Sequence, residues 1–487
     1  MDTGRKLPRN ANYMEHLPLA LPSMTKRRTY FPTNGQSFTS TGNNIIRIDV
    51  SGDAFLDTKN SYLTFRFNNT TGAGALCGLD YGGGHGFIRR LRIEQAGNVL
   101  TDCNSYGKLM SSILLPCQGD RDSLKSRSIT ESCAFNSGKA NGNFTNPTPA
   151  ADLSGASLTA PAHGVGLVLV NAVAPPGNPT PGSTITFCIP LVNGLLGVNQ
   201  DKLIPLQLLG SSPITIEIEL APALDIGVFG VVPNAYTIDN VRYVAQLVET
   251  PPALDEQLRM VQEQSGGAIM LSGQDYTHFQ GNISAGATGQ QNINVPARRR
   301  SIKSILWAGA SQAFVAGGAN AQEARYNLSY GGNFNMTEYS VRVGAVQYPA
   351  EPVRCEYGLA AGPNGVRSEH IVELEKCFGT LGSTMGLGSL CSSNFATADC
   401  DVPQMATIVP AGAADAPMLF SPFGIDMESF QRVTAGHDGV NTADRATPIT
   451  LQLTIGAAAA EAISVDAYVC YDSLFYIDAS GSIRVNF

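Results

Sequence analysis

The amino-acid sequence predicts an all-β protein made of two tandem jelly-roll β-sandwiches, a double jelly roll with short helices and long loops. Segments in which apolar and polar residues alternate recur along the chain, as in half-buried strands. The second half of the chain repeats the order of elements in the first half. The 487 residues, of which 15% are charged while 51 are Gly and 28 are Pro, fit two all-β domains of about 200–250 residues each.

Residues 1–43 are predicted to form a basic arm that is interrupted by prolines. Only Asp2 and Glu15 oppose its positive charge. Because the arm has no periodicity of its own, we expect it to order only against a partner. Its six cations are Arg5, Lys6, Arg9, Lys26, Arg27 and Arg28.

The first jelly roll is predicted over residues 44–250. Apolar residues alternate with polar ones over 46–50 and again over 62–67, which has the period of a strand with one buried face. Residues 87–100 are interpreted as two strands joined by a tight turn at 96–98, where Gly and Asn tolerate a positive φ.

A short helix is predicted after this hairpin. Asn104 is placed to cap it, the residues 106, 109, 110 and 113 fall on one face, and Pro116 is expected to end it. The glycine-rich run at 82–86 precedes a strand and is interpreted as a flexible turn. From 117 to 183 the chain has little periodicity and is far longer than an ordinary connection, so we interpret it as a functional or surface-building loop.

The second jelly roll is predicted over residues 267–487, after a linker helix at 251–266. Residues 449–455 repeat the strict alternation of 214–220, and a long closing strand follows each. A second hairpin at 339–345 is again followed by a helix, here with Ser368 as cap, Ile371, Leu374 and Phe378 on one face, and Gly379 as terminator. A second irregular stretch, 380–416, precedes the closing strands. These correspondences indicate a tandem duplication.

Composition and charge exclude several classes of protein. The formal net charge of −8 opposes bulk binding of nucleic acid through counterion release. The chain shows no signal-peptide pattern and no run of 18 apolar residues, so we expect neither cleavage of a secretory signal nor a membrane span. The ten cysteines form no CxxC pair and are interpreted as reduced, buried thiols.

Enzymatic motifs are missing from the sequence, and we predict no catalytic, cofactor-binding or metal-binding residue. Glu217 and Glu219 lie on the same side of one strand at a glycosidase-like separation, but we interpret them as the wet face of an alternating strand, because no third acidic residue follows at the spacing of jelly-roll glycosidases. A basic run at Arg298, Arg299 and Arg300 is predicted to lie on a solvated or inter-subunit face. Trp307 is predicted to lie in the core.

Several short motifs occur in the order and spacing of a known family. They are residues 31–35 leading to 46–48, residues 55–63, residues 341–344 followed by a Tyr-Pro turn at 348–352, Phe378-Gly379, and residues 424–430 followed by 434–436. Over about residues 30–487 the chain resembles the double jelly-roll major capsid proteins of tailless icosahedral DNA viruses, such as polinton-like viruses, virophages and nucleocytoplasmic large DNA viruses. Met427 stands where that family has Leu, and Ala435 where Ser is common.

The resemblance implies a structural protein of the virion, assembled in the host cytoplasm or nucleus, with no cofactor and no small-molecule substrate. It implies homotrimers in which six jelly rolls form a pseudo-hexagonal capsomer that contacts neighbouring capsomers and minor capsid or penton proteins. Segments 117–183 and 380–416 would form outward towers and trimer contacts. The basic arm would lie on the inner side, against an internal membrane, the genome, a minor capsid protein or a neighbouring capsomer.

A jelly-roll carbohydrate-binding protein or glycoside hydrolase is the alternative prediction. The two classes differ in their solution behaviour, because a shell protein forms large assemblies through repeated interfaces whereas a glycan binder is small and saturable. Oligomeric mass and binding to a glycan array therefore separate the two hypotheses.

Overall fold

Alternating segments of the sequence form the strands of two consecutive sandwiches in the computed structural model. The structure describes the following residues: 23–70, 75–79, 82–118, 130–131, 168–171, 184–210, 212–223, 225–229, 235–264, 267–312, 328, 330–331, 336–355, 369–381, 418–419, 422–429, 438–443, 448–456 and 462–487.

The first sandwich is built from the strands of the first half. They are β1 (Met24–Tyr30), β2 (Ser37–Thr39), β3 (Ile45–Val50), β4 (Phe55–Asn69), β5 (Ala75–Leu79), β6 (Ile88–Gln95), β7 (Asn98–Asn104), β8 (Val168–Asn171), β9 (Thr184–Ile189), β10 (Ile204–Pro205), β11 (Ile214–Leu220), β12 (Gly227–Phe229) and β13 (Tyr236–Glu249).

Two antiparallel sheets of the first sandwich face each other. Sheet I has the order β1-β13-β4-β10, with β2 added on β13 and β9 on β4, and sheet II has the order β3-β11-β6-β7. Inward-facing residues such as Ile48, Phe65 and Ile216 are almost fully buried between the sheets. Each such side chain contributes about 1.5–3 kcal/mol to the stability of the fold. The strands β12, β5 and β8 form a separate three-stranded sheet in that order.

The second sandwich is built from the strands of the second half. They are β14 (Ala268–Ile283), β15 (Gly289–Val295), β16 (Ile302–Ser311), β17 (Tyr330–Gly331), β18 (Met336–Val343), β19 (Val346–Arg354), β20 (Met418–Leu419), β21 (Pro422–Asp426), β22 (Ile449–Ile455), β23 (Ile463–Asp478) and β24 (Ile483–Asn486).

The second sandwich repeats the strand order of the first. Sheet III runs β14-β23-β16-β21, with β24 on β23, and sheet IV runs β15-β22-β18-β19. The closing strand β13 lies between β1 and β4 in sheet I, and the closing strand β23 lies between β14 and β16 in sheet III. Likewise β11 is the second strand of sheet II and β22 is the second strand of sheet IV. Shared topology supports the tandem duplication predicted from the sequence.

The core of the second sandwich contains the only tryptophan of the chain, as predicted. Trp307 is 1% exposed, and its ring lies 4.6 Å from the ring of Tyr339 and 5.7 Å from that of Phe423 between ring centroids. Aromatic packing of this kind adds about 0.5–1.5 kcal/mol per pair beyond the burial of the rings.

The second part of the predicted basic arm is ordered within its own chain, contrary to the expectation that it orders only against a partner. Residues 24–30 form β1, which pairs along its whole length with β13 of the same chain, so this part of the arm orders without another molecule. Its sequence, MTKRRTY, is charged because β1 is an edge strand with an exposed burial pattern, and charged edges prevent unwanted strand pairing. Residues 1–22, with Arg5, Lys6 and Arg9, lie outside the described residues.

The hairpin of the first half forms as predicted, with β6 and β7 joined by two residues. Ala96 and Gly97 take positive φ values of 50° and 81°, which is the backbone of the turn that fits the twist of a two-residue hairpin. The positive φ therefore falls on Ala96 and Gly97, one position earlier than the Gly-Asn pair on which the prediction was based.

Helix α1 follows the hairpin and differs at both ends from its prediction. It consists of the continuous segments Tyr106–Lys108, Leu109–Leu114 and Leu115–Gln118, of which the middle one is a π-helix. Asn104 is the last residue of β7, and Ser105, with φ 49°, precedes the helix without a capping side chain. Pro116 lies within the last turn of this continuous helix and does not end it.

Two further helices have the predicted positions in the sequence. Helix α2 (Pro252–Gln264) connects β13 to β14, and helix α3 (Glu369–Cys377) follows β19. Leu374 of α3 is fully buried, and Gly379 follows the helix with φ 63°, the left-handed conformation expected of a terminating glycine. Ser368 lies outside the described residues.

The glycine-rich run is a packed element rather than a flexible turn. Residues Gly83–Phe87 form a short 3-10 helix in which every residue is buried. A Cβ atom on Gly84 would lie 2.7 Å from the Ile189 side chain, so only glycine fits there. Most of the two irregular stretches, 117–183 and 380–416, lies outside the described residues, and their interpretation as surface-building loops stays a prediction.

Candidate functional site

The outer face of sheet III is buried against the first sandwich. Leu306, Ala308, Tyr468 and Cys470 alternate along β16 and β23 with residues of the second core, yet they belong to the apolar cluster of the first sandwich. α1 supplies Leu109 to the same cluster, and β7 lies beside β14. The two jelly rolls therefore share a continuous apolar junction.

A buried ion pair crosses this junction. Lys108 of α1 donates a hydrogen bond to Asp466 of β23, and the ring of His278 lies 2.8 Å from the other carboxylate oxygen, between Nε2 and Oδ1. Burial raises the pKa of Asp466, but the charge of Lys108 and the hydrogen bond to His278 outweigh it, so the pKa lies below its ordinary value. Asp466 is thus held as an anion between the sandwiches.

Backbone groups also meet closely at the junction. The Tyr468 hydroxyl donates to the Ser105 carbonyl at 2.9 Å, and the Gln95 side chain bonds both the carbonyl of Gly481 and the N–H of Ile483. A Cβ atom on Gly273 would collide with the backbone of Gly194, which explains glycine in the middle of β14. These contacts fix one arrangement of the two sandwiches.

Asp275 lies at the same junction without full hydrogen bonding. It is 1% exposed, and within the described part of the chain Oδ2 has no partner while Oδ1 accepts the N–H of Tyr276. Burial raises the pKa of Asp275 to about 7, against the opposing effects of the Tyr276 N–H and Arg299. Asp102 adds to the rise.

Three cations of the predicted arm lie on β1. Lys26 pairs with Glu249, and Arg27 donates to the Tyr62 hydroxyl at 2.9 Å. The Arg28 guanidinium lies 5.2 Å from the Tyr30 ring centroid. All three side chains are exposed, so three of the six predicted cations of the arm lie together on one edge of sheet I.

The basic run after β15 is divided by the structure. Arg298 and Arg300 are exposed, whereas the Arg299 guanidinium lies between two rings, 4.4 Å from the centroid of Tyr471 and 4.3 Å from that of Phe487. Stacked guanidinium groups of this kind stabilise by about 0.5–2 kcal/mol. Arg299 therefore binds its own chain, and an inter-subunit role stays a prediction for Arg298 and Arg300.

The two glutamates of β11 belong to an ion-pair network. Glu217 accepts from Arg47 at 2.9 Å and lies 3.6 Å from Arg92, and Glu219 lies 3.3 Å from Arg89. Their cross-strand partners account for both carboxylates, which supports the interpretation as the polar face of an alternating strand.

Further features of the described residues bear on possible chemistry. No group of three or more His, Cys, Asp or Glu side chains among them is arranged to hold a metal ion. None of the helices in the described ranges is long and apolar enough to cross a membrane. Burial raises the pKa of the Cys103, Cys117 and Cys377 thiols well above the ordinary value, as for structural rather than nucleophilic cysteines.

Comparison with solved structures identifies the architecture. VP54 of PBCV-1, fitted into a reconstruction of the virophage Sputnik, matches with a TM-score of 0.51 at 10% identity, covering 97% of this chain and 98% of that chain. The Faustovirus major capsid protein matches with a TM-score of 0.54 at 9% identity, covering 94% and 91%. The chain has a double jelly-roll fold.

A third double jelly roll agrees with this assignment. The Sputnik virophage structure matches with a TM-score of 0.53 at 9% identity, covering 99% of this chain and 92% of that chain. No protein-family profile and no curated protein matches the sequence. The predicted fold class is confirmed, and at these identities the likeness concerns the fold.

Sequence reasoning did not find the residues that join the two jelly rolls. Lys108 and Asp466 are 358 positions apart, and no local motif connects them. One signal was available: Asp466 is a polar residue within a long apolar strand, and such residues are buried only when they have partners. The predicted basic residues that the structure describes, in contrast, form separate groups on β1 and after β15.

Proposed function

We propose that this protein is the major capsid protein of an icosahedral virus and assembles as homotrimeric capsomers. One observation carries the proposal: two sandwiches of the same strand order are packed so that the helix and β7 of the first cover the outer face of sheet III of the second. This contact joins different elements of the two sandwiches, the helix side of the first and the sheet side of the second. Such a head-to-tail contact is able to build closed rings.

The match to capsid proteins over nearly the whole chain supports this function. VP54, the Faustovirus protein and the Sputnik structure are all covered over more than nine-tenths of their length. The ion-paired state of Glu217 and Glu219 gives no support to a glycosidase. A shell subunit needs large repeated interfaces and no reactive cleft, and we therefore propose a structural, non-enzymatic role in the virion.

Additional partners follow from the same proposal. Neighbouring capsomers and minor capsid or penton proteins would contact the outside of the trimer. The cations Arg5, Lys6 and Arg9, which lie outside the described residues, would reach an inner component such as a membrane or the genome. Assembly would take place in the host cytoplasm or nucleus.

Light scattering of the purified full chain tests this function. Three times 51.4 kDa is about 154 kDa, which is the mass expected for the capsomer. A mass that stays at 51.4 kDa at every concentration, together with saturable binding to a glycan array, would favour the carbohydrate-binding alternative.

A further inference from the structure

Two buried atoms of complementary character lack hydrogen-bond partners in the same part of the second sandwich. They are the carboxyl oxygen Oδ2 of Asp275 and the Nε–H of Arg299, both without a partner among the described residues. Asp275 and Thr277 lie two residues apart on one face of β14, so their Cα atoms are about 7 Å apart. The Arg299 guanidinium already donates to the Thr277 hydroxyl at 3.1 Å. An acceptor and a donor without partners therefore lie within reach of each other.

The Arg299 guanidinium holds the residue that follows β24. It lies 4.3 Å from the centroid of the Phe487 ring, and the N–H of Arg300 donates to the main-chain oxygen of Phe487 at 3.1 Å. β24 itself pairs with β23 over only four residues. Short strands with few backbone bonds are among the first parts of a fold to open. The contacts of Phe487 therefore help to keep β24 in place.

The other end of β24 is bound to the first sandwich. The Gln95 side chain donates to the carbonyl of Gly481 at 3.1 Å and accepts the N–H of Ile483 at 2.6 Å. Ile483 is 1% exposed and belongs to the apolar cluster of the first sandwich. β24 is thus part of the junction between the jelly rolls, and a change that loosens β24 also weakens that junction.

The charge of Asp275 decides how strongly it competes for Arg299. A carboxylate accepts charge-assisted hydrogen bonds, which are shorter and stronger than the bonds of a neutral carboxyl. Arg299 favours the charge on Asp275, and Asp102 of β7 opposes it. Three further titratable groups near Asp275 stay neutral at about pH 7 because burial raises the pKa of each, namely those of Cys103, Tyr276 and Tyr471. Among these described groups, Arg299 is the one cation that can pair with the carboxylate.

We propose that Arg299 acts as a pH-dependent clasp on β24. While Asp275 is protonated, the guanidinium stays between the rings of Tyr471 and Phe487. When Asp275 is ionised, the guanidinium moves to the carboxylate, the stack on Phe487 is lost, and β24 loosens. The proposal concerns the fold of a single chain, so it does not rest on the proposed function.

An indole introduced at position 487 reports on the clasp. Phe487→Trp keeps an aromatic face for the guanidinium. Trp307 is 1% exposed and shielded from acrylamide, so quenching of the full-length reporter chain by acrylamide measures the new indole. The pKa of Asp275 is about 7, and its ionised fraction rises from about one tenth at about pH 6 to about nine tenths at about pH 8. We expect the quenching constant to rise at least about threefold between these pH values.

Substitutions in the reporter chain identify the groups responsible. Asp275→Asn should keep the quenching constant low at both pH values, because the amide carries no charge. Arg299→Gln should make it high at both, because no cation covers the ring. The matched controls are Arg298→Gln, which removes an exposed neighbouring cation, and Asp201→Asn, whose side chain is 86% exposed; both should behave as the reporter chain. Circular dichroism should show the native strand content in every variant.

Each of three results would overturn the proposal. If quenching of the reporter chain does not change between the two pH values, the ring at position 487 is not released. If Asp275→Asn shows the same rise as the reporter chain, another group controls the release. If Arg299→Gln leaves quenching low at both pH values, Arg299 is not what covers the ring.

Discussion

Replacing Asp275 with Asn should make the stability of the protein less dependent on pH. Asp275 is buried between the sandwiches, with Oδ2 unpartnered in the described part of the chain. The groups that act on its charge are the N–H of Tyr276 and the cation of Arg299, which favour ionisation, and Asp102, which opposes it. Burial exceeds these effects and raises the pKa from about 3.8 to about 7.

The size of the change in unfolding free energy follows from the difference between the folded and unfolded pKa of Asp275. The folded state holds the proton more tightly than the unfolded chain, so the free energy of unfolding falls as the pH rises from about 4 to about 7, and is level above that. About three pKa units at about 1.4 kcal/mol each give a loss of about 4 kcal/mol. Asn does not titrate, and burying its amide costs about 1–3 kcal/mol at every pH.

Urea unfolding of the full chain at about pH 4 and about pH 8 measures the effect. At the lower pH the buried Asp275 is itself protonated and neutral, so we expect Asp275→Asn to have about the stability of the natural chain there, and to be more stable than it, by up to about 4 kcal/mol, at the higher pH. Asp201→Asn is the control, because the Asp201 side chain is 86% exposed. If the difference in unfolding free energy between the variant and the natural chain changes by less than about 0.5 kcal/mol from one pH to the other, Asp275 does not titrate with a raised pKa in the folded protein.

Three other perturbations have defined outcomes. Lys108→Met leaves Asp466 buried with His278 alone, and urea unfolding should show a loss of about 3 kcal/mol; a loss below about 0.5 would contradict the role of the pair. Gly273→Ala should lower the melting temperature because its Cβ collides with backbone, while Gly52→Ala, with ordinary contacts, should not; equal melting temperatures argue against the close approach. Deleting residues 1–28 removes most of β1 and should increase aggregation by exposing the edge of β13, as light scattering would show; an unchanged monodisperse assembly would disprove this.

Much of the fold could be predicted because its strands alternate in a simple period. Residues 214–220 and 449–455 have one buried and one polar face, which predicts strands, and the structure places both strands at equivalent interior positions in their sheets. The burial of Trp307 was predictable for a similar reason, because it follows apolar residues within a strand. Helix α3 was predictable from its spacing and from Gly379, since both signals are local.

Other features depend on partners that are distant in the sequence. β1 is charged and has no apolar alternation, so only its pairing with β13 makes it a strand. The glycines at 82–86 suggest flexibility, but the segment is a buried 3-10 helix in which Gly84 packs closely against Ile189 of β9. The Tyr-Pro motif at 348–349, predicted to be a turn, lies within β19, where it belongs to an edge strand that tolerates proline.

Candidate surfaces were predictable only in part. Composition indicated the basic residues on β1 and after β15, yet Arg299 stacks on aromatic rings of its own chain because Tyr471 and Phe487 come from the far end of the sequence. The junction residues Lys108 and Asp466 required the packing of both sandwiches. Self-assembly surfaces consist of such long-range combinations, and a single sequence does not mark them.

Electron microscopy of the negatively stained, purified full chain tests whether the protein is a capsid subunit. We predict particles of three chains in which six lobes, one per sandwich, form a ring of hexagonal outline. Class averages that show only isolated two-lobed particles, at concentrations where the sample is folded, would contradict the assignment of this double jelly roll as a capsid subunit.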